Sequence, residues 1–570
     1  MRTLLLTFLA AACLSAASNS TTDIKVNQVG YLPAAPKLAM VAAAKPASEF
    51  TVRNAANHAV VFKGKLTAPA LDADSGDNVQ IADFSGLKRE GKYYIDVPAA
   101  GRSWEFAIGP NVYARAFYLA MRAFYGQRCG TTVDLGPEFP GYKYEACHTE
   151  GAWHPSSGKT GPRPSVKGWH DAGDYGRYVV NSGITTGTLL WAYELFADRI
   201  GKVNLNIPES KNKVPDALDE VRWNLEWMLS MQDPEDGGVW HKQTTPQFSG
   251  FVLPHLDKAP NVVIGTGSEP YKGTGATADF AAVMAIAARV YRPFDAGFAA
   301  ECLAAARKAF AWTEKYPNVA FNNPPGVNTG AYGDRNFADE RLWAAAELYR
   351  TTGEDAYHQY FLANYESLRK SIRPVGPQSW NNVGTMGLWT YALGKGKNAE
   401  ALEAIRKDSI AAADAIVQRA AANGYRITMT PSDYVWGSNG VVANYGVQLL
   451  VANALQPNPA YVNTALENLH YLLGRNPFSL SYVTQLGSNP YRHPHHRPSG
   501  ADSNAEPWPG MLSGGPNRSP QDPAMKAKLK PGTPPARMYV DDQESYASNE
   551  IAINWQAPLV FLLAGAQPGK

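Results

Sequence analysis

What most constrains the fold of this chain is a change of hydrophobic period near Pro110. Upstream, Tyr93, Ile95 and Val97 alternate with Tyr94 and Asp96, and Trp104, Phe106 and Ile108 alternate with Glu105 and Ala107. That is the two-residue repeat of half-buried strands. From Asp23 to Ile108 such runs are separated by Gly, Pro, Asn and Asp, and about seven strands in so short a stretch predict a small β-sandwich. Downstream, Phe280, Val283, Met284, Ala287 and Tyr291 fall at i, i+3, i+4, i+7 and i+11. Val221, Leu225, Met228 and Leu229 keep the same helical period, as do Leu466, Leu469, His470 and Leu473. About a dozen helices are predicted between Tyr113 and Ala564 without heptads or a short repeat, so they must wrap a common core. A barrel of paired helices does this economically.

The rest of the composition excludes classes of function. The chain has 570 residues, 45% hydrophobic and 18% charged, which is globular. Its 53 Lys and Arg against 51 Asp and Glu leave no electrostatic case for nucleic acid or an anionic membrane as partner. Residues 1 to 18 read as a secretory signal, with Arg2, the apolar Leu4 to Ala12 and the small Ser15-Ala16-Ala17. The mature protein is therefore expected to be secreted or periplasmic, and monomeric by default. A competing reading lipidates Cys13. No later stretch has the roughly 18 apolar residues of a membrane helix. Of the four cysteines, Cys13 leaves with the signal, and Cys302 in an Ala-rich helix reads as a small buried hydrophobe.

Long loops at residues 130–174, 233–277 and 487–541 interrupt the helices, and loops of that length tend to carry function. Residues 516–535 suit a disordered insert better than the others. The first holds Gly168-Trp169-His170-Asp171-Ala172-Gly173-Asp174-Tyr175-Gly176. Two aspartates three apart, opening a helix that runs on through Tyr178, direct both carboxylates into one cavity. The helix N-terminus is expected to keep them ionised, as a general base requires; simple N-capping by Asp171 is the competing reading. Near the C-terminus, Glu550 heads the apolar run Ile551 to Leu562. Desolvation there raises its pKa toward that of a general acid, unless it is a capping-box glutamate. Base and acid across an aromatic cleft are the equipment for glycoside hydrolysis, and 14 Trp, 29 Tyr and 20 Phe supply faces for sugar rings. A third segment, Tyr491-Arg492-His493-Pro494-His495-His496-Arg497, reads as ligand recognition or a metal site.

At these three segments the sequence resembles glycoside hydrolase family 9, mostly cellulases with an (α/α)6 barrel. The opening Val26-Asn27-Gln28-Val29-Gly30-Tyr31-Leu32-Pro33 resembles the immunoglobulin-like domain that precedes the barrel in one branch. The resemblance implies a signal peptide over 1–18, an immunoglobulin-like sandwich over 19–109 and a catalytic barrel over 110–570. It implies Asp174 as base, Asp171 holding the attacking water and Glu550 as acid, with inversion at the anomeric carbon. His495, Arg497 and Asp541 are implied substrate contacts, Tyr546 is placed with them, and Trp436 resembles a sugar-stacking position. Trp240, His241, Tyr332 and Trp380 are further aromatic or imidazole candidates, each equally a core residue. Gln556 stands where the family usually has Asn.

Cys129, Cys147, His148 and His170 form a Cys2His2 set suited to tetrahedral zinc, and relatives with the same immunoglobulin-like domain carry such a site. The alternative is a Cys129–Cys147 disulfide. The loop Gly333 to Glu340 resembles a family calcium loop with Asp339 and Glu340 as ligands, but Asn381 and Asn382 stand where a further acidic ligand is common. The expected activity is an inverting endo-β-1,4-glucanase on β-1,4-glucan or cello-oligosaccharides. An exo-acting hydrolase of cello- or glucosamine oligomers and a non-catalytic sugar-binding protein are the alternatives.

Overall fold

The structure is a computed structural model that describes residues 20–98, 100–394 and 396–569. The signal segment and Cys13 lie outside the described residues. Among the described residues, ten short strands precede the helices: β1 (Ile24–Lys25), β2 (Gly30–Tyr31), β3 (Leu38–Val41), β4 (Glu49–Asn54), β5 (Val60–Lys65), β6 (Ala70–Leu71), β7 (Asn78–Asp83), β8 (Gly91–Val97), β9 (Gly101–Arg102) and β10 (Phe106–Ile108). They form two sheets, β1-β3-β7-β6 and β2-β10-β8-β4-β5, with β9 paired to β8. Ile24, Val41 and Ala82 of the first and Val52, Ile95 and Phe106 of the second meet in one buried cluster. Two-residue strands such as β2 and β9 are too short to show a period, which is why fewer strands are expected from the pattern than occur.

The opening motif fastens this sandwich to the helices. The Gln28 amide N–H donates to the Leu473 carbonyl at 2.9 Å, its Nε2 to the Ser479 carbonyl at 2.9 Å, and its Oε1 accepts from the Ser488 and Asn489 amides at 3.0 and 2.7 Å. Asn27 Nδ2 meets His470 Nδ1 at 2.9 Å, so the buried His470 belongs to the junction.

Twelve helices of ten or more residues follow among the described residues: α1 (Ala114–Gly126), α2 (Val179–Ile200), α3 (Asp216–Ser230), α4 (Thr274–Tyr291), α5 (Ala296–Lys315), α6 (Ala338–Thr352), α7 (Asp355–Leu368), α8 (Gly384–Leu393), α9 (Ala399–Ala422), α10 (Ser438–Leu455), α11 (Pro459–Leu472) and α12 (Ile553–Ala566). Packing orders them in two layers. Helices α2, α4, α6, α8, α10 and α12 each touch the next, and α12 closes on α2. Against them lie α3, α5, α7, α9, α11 and α1 respectively. Composition explains the layering. In α4 nearly every residue is buried, whereas α9 buries only a stripe, Ala401, Ile405, Ser409, Ala412, Ala413, Ile416 and Ala420. A helix apolar all round goes inside and one with a single stripe covers it.

The long loops are not structureless. Ala152–Trp153, Val262–Ile264, Lys242–Thr244 and Arg177–Tyr178 pair in that order as a small sheet, with Tyr178 opposite Lys242. Residues 516–535 are ordered too, against the expectation of a disordered insert. Asp522 caps the short helix Pro523–Lys528 through the Met525 amide at 2.6 Å, and its other oxygen accepts from Ser545 Oγ and the Ala547 amide. That carboxylate ties the insert to the segment leading to Glu550. Among the described residues no helix is long and apolar enough to cross a membrane.

Candidate active site

The three candidate catalytic carboxyls converge because three chain segments are stitched edge to edge. Ala172 bridges Ala552 antiparallel and His495 bridges Glu550 in parallel. The Ile553 amide donates to the Asp171 carbonyl at 2.9 Å, and the His495 amide to the Asn549 carbonyl at 3.0 Å. The seam requires Gly173, since a Cβ there would lie 2.1 Å from the His495 carbonyl oxygen. No side chain can be accommodated at that approach.

The aspartates do not open a helix as expected. Arg177–Tyr178 is a strand and α2 begins at Val179, because Tyr178 pairs with Lys242 instead of continuing a turn. Asp171 is neither an N-cap nor held ionised by a helix end. Its Oδ1 accepts from Asn181 Nδ2 at 2.6 Å and its Oδ2 from the Tyr332 hydroxyl at 2.6 Å. Burial, and then the charge of Asp174, push its carboxyl up to about 8. Asp174 Oδ2 accepts from the Gly176 amide at 3.0 Å and the Tyr178 hydroxyl at 3.1 Å.

Glu550 lies just ahead of α12, whose N-cap is Ala552, so it forms no capping box. Burial, followed by the charge of Asp174, raises its carboxyl well above the usual range, with Arg497 pulling the other way. Glu550 can thus keep its proton well above the ordinary carboxylate range, as a general acid must. Gln556 behind it is fully occupied: Oε1 accepts from the Leu512 amide at 2.9 Å, and Nε2 donates to the Ala120 and Gly510 carbonyls at 2.9 and 2.7 Å. The longer amide is a scaffold brace.

The three histidines of the third segment part company. His493 is exposed, and His496 is buried, with Nε2 3.0 Å from Gln127 Oε1. His495 is half-buried, and its Nδ1–H donates to the Gln543 carbonyl at 2.7 Å, which leaves Nε2 as an acceptor. Burial lowers its pKa, favouring the neutral ring. Arg497 uses Nη1 on the Gly173 carbonyl and Nε on the Ser249 carbonyl, each at 2.7 Å, so Nη2 remains for a ligand. Asp541 is engaged within the protein. Both its oxygens are taken, by the Arg492 and His493 amides at 2.8 Å each and by Asn549 Nδ2 at 3.0 Å. It holds the loop that carries His495.

Trp436 is 40% exposed and its ring lies 5.5 Å from Tyr546, which in turn lies 5.9 Å from His495. A cavity of about 320 Å³ is lined by Trp380, Trp436 and Trp555. Trp380 packs edge-on against Tyr332 at 5.3 Å. Trp240 and His241 are core residues: Trp240 Nε1 donates to the Ser157 carbonyl at 3.0 Å, and His241 stacks on Phe321 at 3.7 Å. Tyr178, Asn181, Gln127 and Lys242 escape sequence reasoning. The buried Lys242 Nζ donates to Asn323 Oδ1 and the Gly330 carbonyl, each at 2.7 Å, fixing the turn that delivers Tyr332 to Asp171.

Cys129, Cys147, His148 and His170 come together, their ligand atoms all within 4.8 Å of one another. The sulfurs are 4.0 Å apart, Cys129 Sγ is 3.8 Å from His148 Nδ1, and Cys147 Sγ is 3.6 Å from His170 Nε2. These separations approach the edges of about 3.3 to 3.8 Å that metal bonds of 2.0 to 2.3 Å give a tetrahedron. His148 Nε2 faces Asp257 Oδ2 at 3.3 Å, the outer carboxylate that orients a ligating imidazole. The cysteines are free thiols, so the disulfide alternative is not what the structure holds. The donors expected for calcium fit less well. Asp339 Oδ2 accepts from the Val383 amide at 2.9 Å and Asn381 Oδ1 from Ser379 at 2.6 Å, so two of the oxygens at this loop already serve the protein's own hydrogen bonds.

The sequence matches the profile described as Glycosyl hydrolase family 9 over residues 113–563 and that of the cellulase N-terminal ig-like domain over 19–102. Endoglucanase D of Acetivibrio thermocellus is 40% identical over 546 residues, covering 95% of this chain and 83% of that protein. AaCel9A in complex with cellobiose-like isofagomine is 34% identical with a TM-score of 0.86, covering 95% of this chain and 99% of the other. A zinc-binding triple mutant of the family 9 endoglucanase J30 is 34% identical with a TM-score of 0.87, covering 95% and 100%. The chain belongs to glycosyl hydrolase family 9.

Proposed function

We propose that this chain is an inverting endo-β-1,4-glucanase whose helices form an (α/α)6 barrel over residues 110–570, preceded by the immunoglobulin-like sandwich of residues 19–109. The closed inner ring of six helices with six outside supports the barrel. One observation carries the activity: Asp171, Asp174 and the raised-pKa Glu550 share one seam beside an aromatic-lined opening. Glu550 donates its proton to the leaving glycosidic oxygen. Asp174 takes a proton from water on the opposite face of the sugar, and Asp171 holds that water from the side. The raised carboxyl of Asp171 suits a residue that orients the water over one that takes its proton. His495 and Arg497 orient the sugar, Asp541 positions His495, and Trp436 and Tyr546 stack on neighbouring units. A protein that only bound sugar would have no use for the acid and base. Single displacement predicts that β-linked substrate releases α-product first. Proton NMR during the first turnovers, with viscosity of soluble substituted cellulose followed in parallel, tests it; β-anomer first would remove the mechanism and a flat viscosity the endo action.

The Cys2His2 cluster is proposed to hold structural zinc through Cys129, Cys147, His148 and His170, clamping the loop that carries Asp171 and Asp174. Four protein ligands leave no open position, so the ion supplies stability only. Chelation is expected to lower the melting temperature by on the order of 5 °C while low-temperature turnover falls less. Metal analysis should return close to one zinc per chain, and a metal-free protein of unchanged melting temperature would refute the assignment.

A further inference from the structure

The loop over residues 246–260 carries a side chain that neither the carboxyl site nor the Cys/His cluster uses. Phe248 is 52% exposed. One exposed apolar residue is ordinary, but this one continues a row of flat groups that crosses the active site. The Arg497 guanidinium lies 5.7 Å from the Phe248 ring and 5.9 Å from Phe251, and Phe251 lies 5.3 Å from His495. From His495 the row runs through Tyr546 to Trp436. Its two outermost rings, Phe248 and Trp436, are its most exposed members.

The backbone on either side of the ring is fixed. The Ser249 carbonyl accepts from Arg497 Nε at 2.7 Å, and the Ser249 hydroxyl donates to Asp257, which faces His148 of the Cys/His cluster. Gln247 Nε2 donates to the Gly326 carbonyl at 2.7 Å, and the Asn328 amide to the Pro246 carbonyl at 2.8 Å. Beside the ring is a cavity of about 480 Å³ walled by residues 246–250 and 256–260 with Val252. A backbone pinned on both sides of an exposed ring spares most of the ordering entropy that a ligand would otherwise have to overcome. An apolar face edged by a guanidinium matches a glucose ring, which offers axial C–H groups on its face and hydroxyls at its rim.

We propose that Phe248 is an outer sugar-stacking position at the end of the cleft opposite Trp436, so that the groove is open and platformed at both ends and internal cleavage of long β-1,4-glucan is favoured. The inference rests on the glucanase reading above. The test is Phe248→Ala and Phe248→Trp, assayed on cellotriose through cellohexaose, with calorimetric binding of cellohexaose to each variant in a Glu550→Gln background. Loss of one stacked ring should raise KM and weaken binding for cellohexaose about threefold to tenfold in Phe248→Ala. The penalty should shrink as the chain shortens, the product pattern should shift, kcat should change little, and tryptophan should restore the loss. A penalty equal at every length would make the residue merely structural. Unchanged kinetics, with a concentration-dependent self-association abolished in Phe248→Ala, would assign the ring to contact between copies. Either outcome overturns the subsite while leaving the glucanase intact. Wild-type protein that neither binds nor cleaves any of these chains would remove both readings together.

Discussion

Glu550→Gln is expected to lower kcat on an unactivated β-1,4-glucan by about a hundredfold to ten-thousandfold, with the fold intact and KM little changed. The glutamine keeps the shape and loses the proton that the leaving oxygen needs. Because burial and the charge of Asp174 hold Glu550 protonated well above the ordinary carboxylate range, the wild type should lose activity on the alkaline side as that proton departs. The variant's residual rate should lack that limb. An activated aryl glycoside, whose leaving group departs without help, should recover much of the loss. Near-normal turnover of Glu550→Gln on cellulose chains, or an unchanged alkaline limb, would show that another group is the acid.

How much of this was legible in the sequence follows the length scale of each signal. The change from period two to period 3.6 marks the boundary between sandwich and helices because it is a local pattern repeated many times. Buried-all-round helices such as α10 and α12 separate from single-stripe helices such as α9 on composition alone. Asp171, Asp174 and Glu550 stand in short, distinctive segments. What no segment contains is the pairing between them. The helix expected from Asp171 onward fails because Tyr178 finds Lys242 across the chain, and long-range pairing overrides local propensity. Asp541 is implied by sequence only as a substrate contact, and the return of the Arg492 and His493 amides adds a part in holding the loop. Ordering of residues 516–535 is of the same kind, set by one buried carboxylate, Asp522. Lys242 and Gln127 act through partners far away in the chain, so their sequence contexts carry no mark of it, and Asn181 reaches Asp171, ten residues back, only because the segment between them folds on itself.

Asp174→Asn and Asp171→Asn should separate catalysis from stability at neighbouring positions. At Asp174 the amide still accepts from the Gly176 amide and the Tyr178 hydroxyl but cannot take a proton from water, so turnover should fall by about a hundredfold to ten-thousandfold without loss of folding. At Asp171 the loss should be smaller, since the residue positions the water without accepting its proton. Stability then turns on protonation. Asp171 holds its proton up to about pH 8 in the native state and releases it near 3.9 when unfolded. Between those values the native state binds the extra proton, so stability falls as pH rises, and the charged form is the one that burial penalises. The asparagine introduced by Asp171→Asn has no proton to lose; its Oδ1 can still accept from Asn181, and the Tyr332 hydroxyl can turn to accept from the new amide. The melting temperature of Asp171→Asn relative to wild type should therefore rise between about pH 5 and 8 as turnover drops. A variant uniformly less stable at every pH would mean that Asp171 is ionised and held by Asn181 and Tyr332.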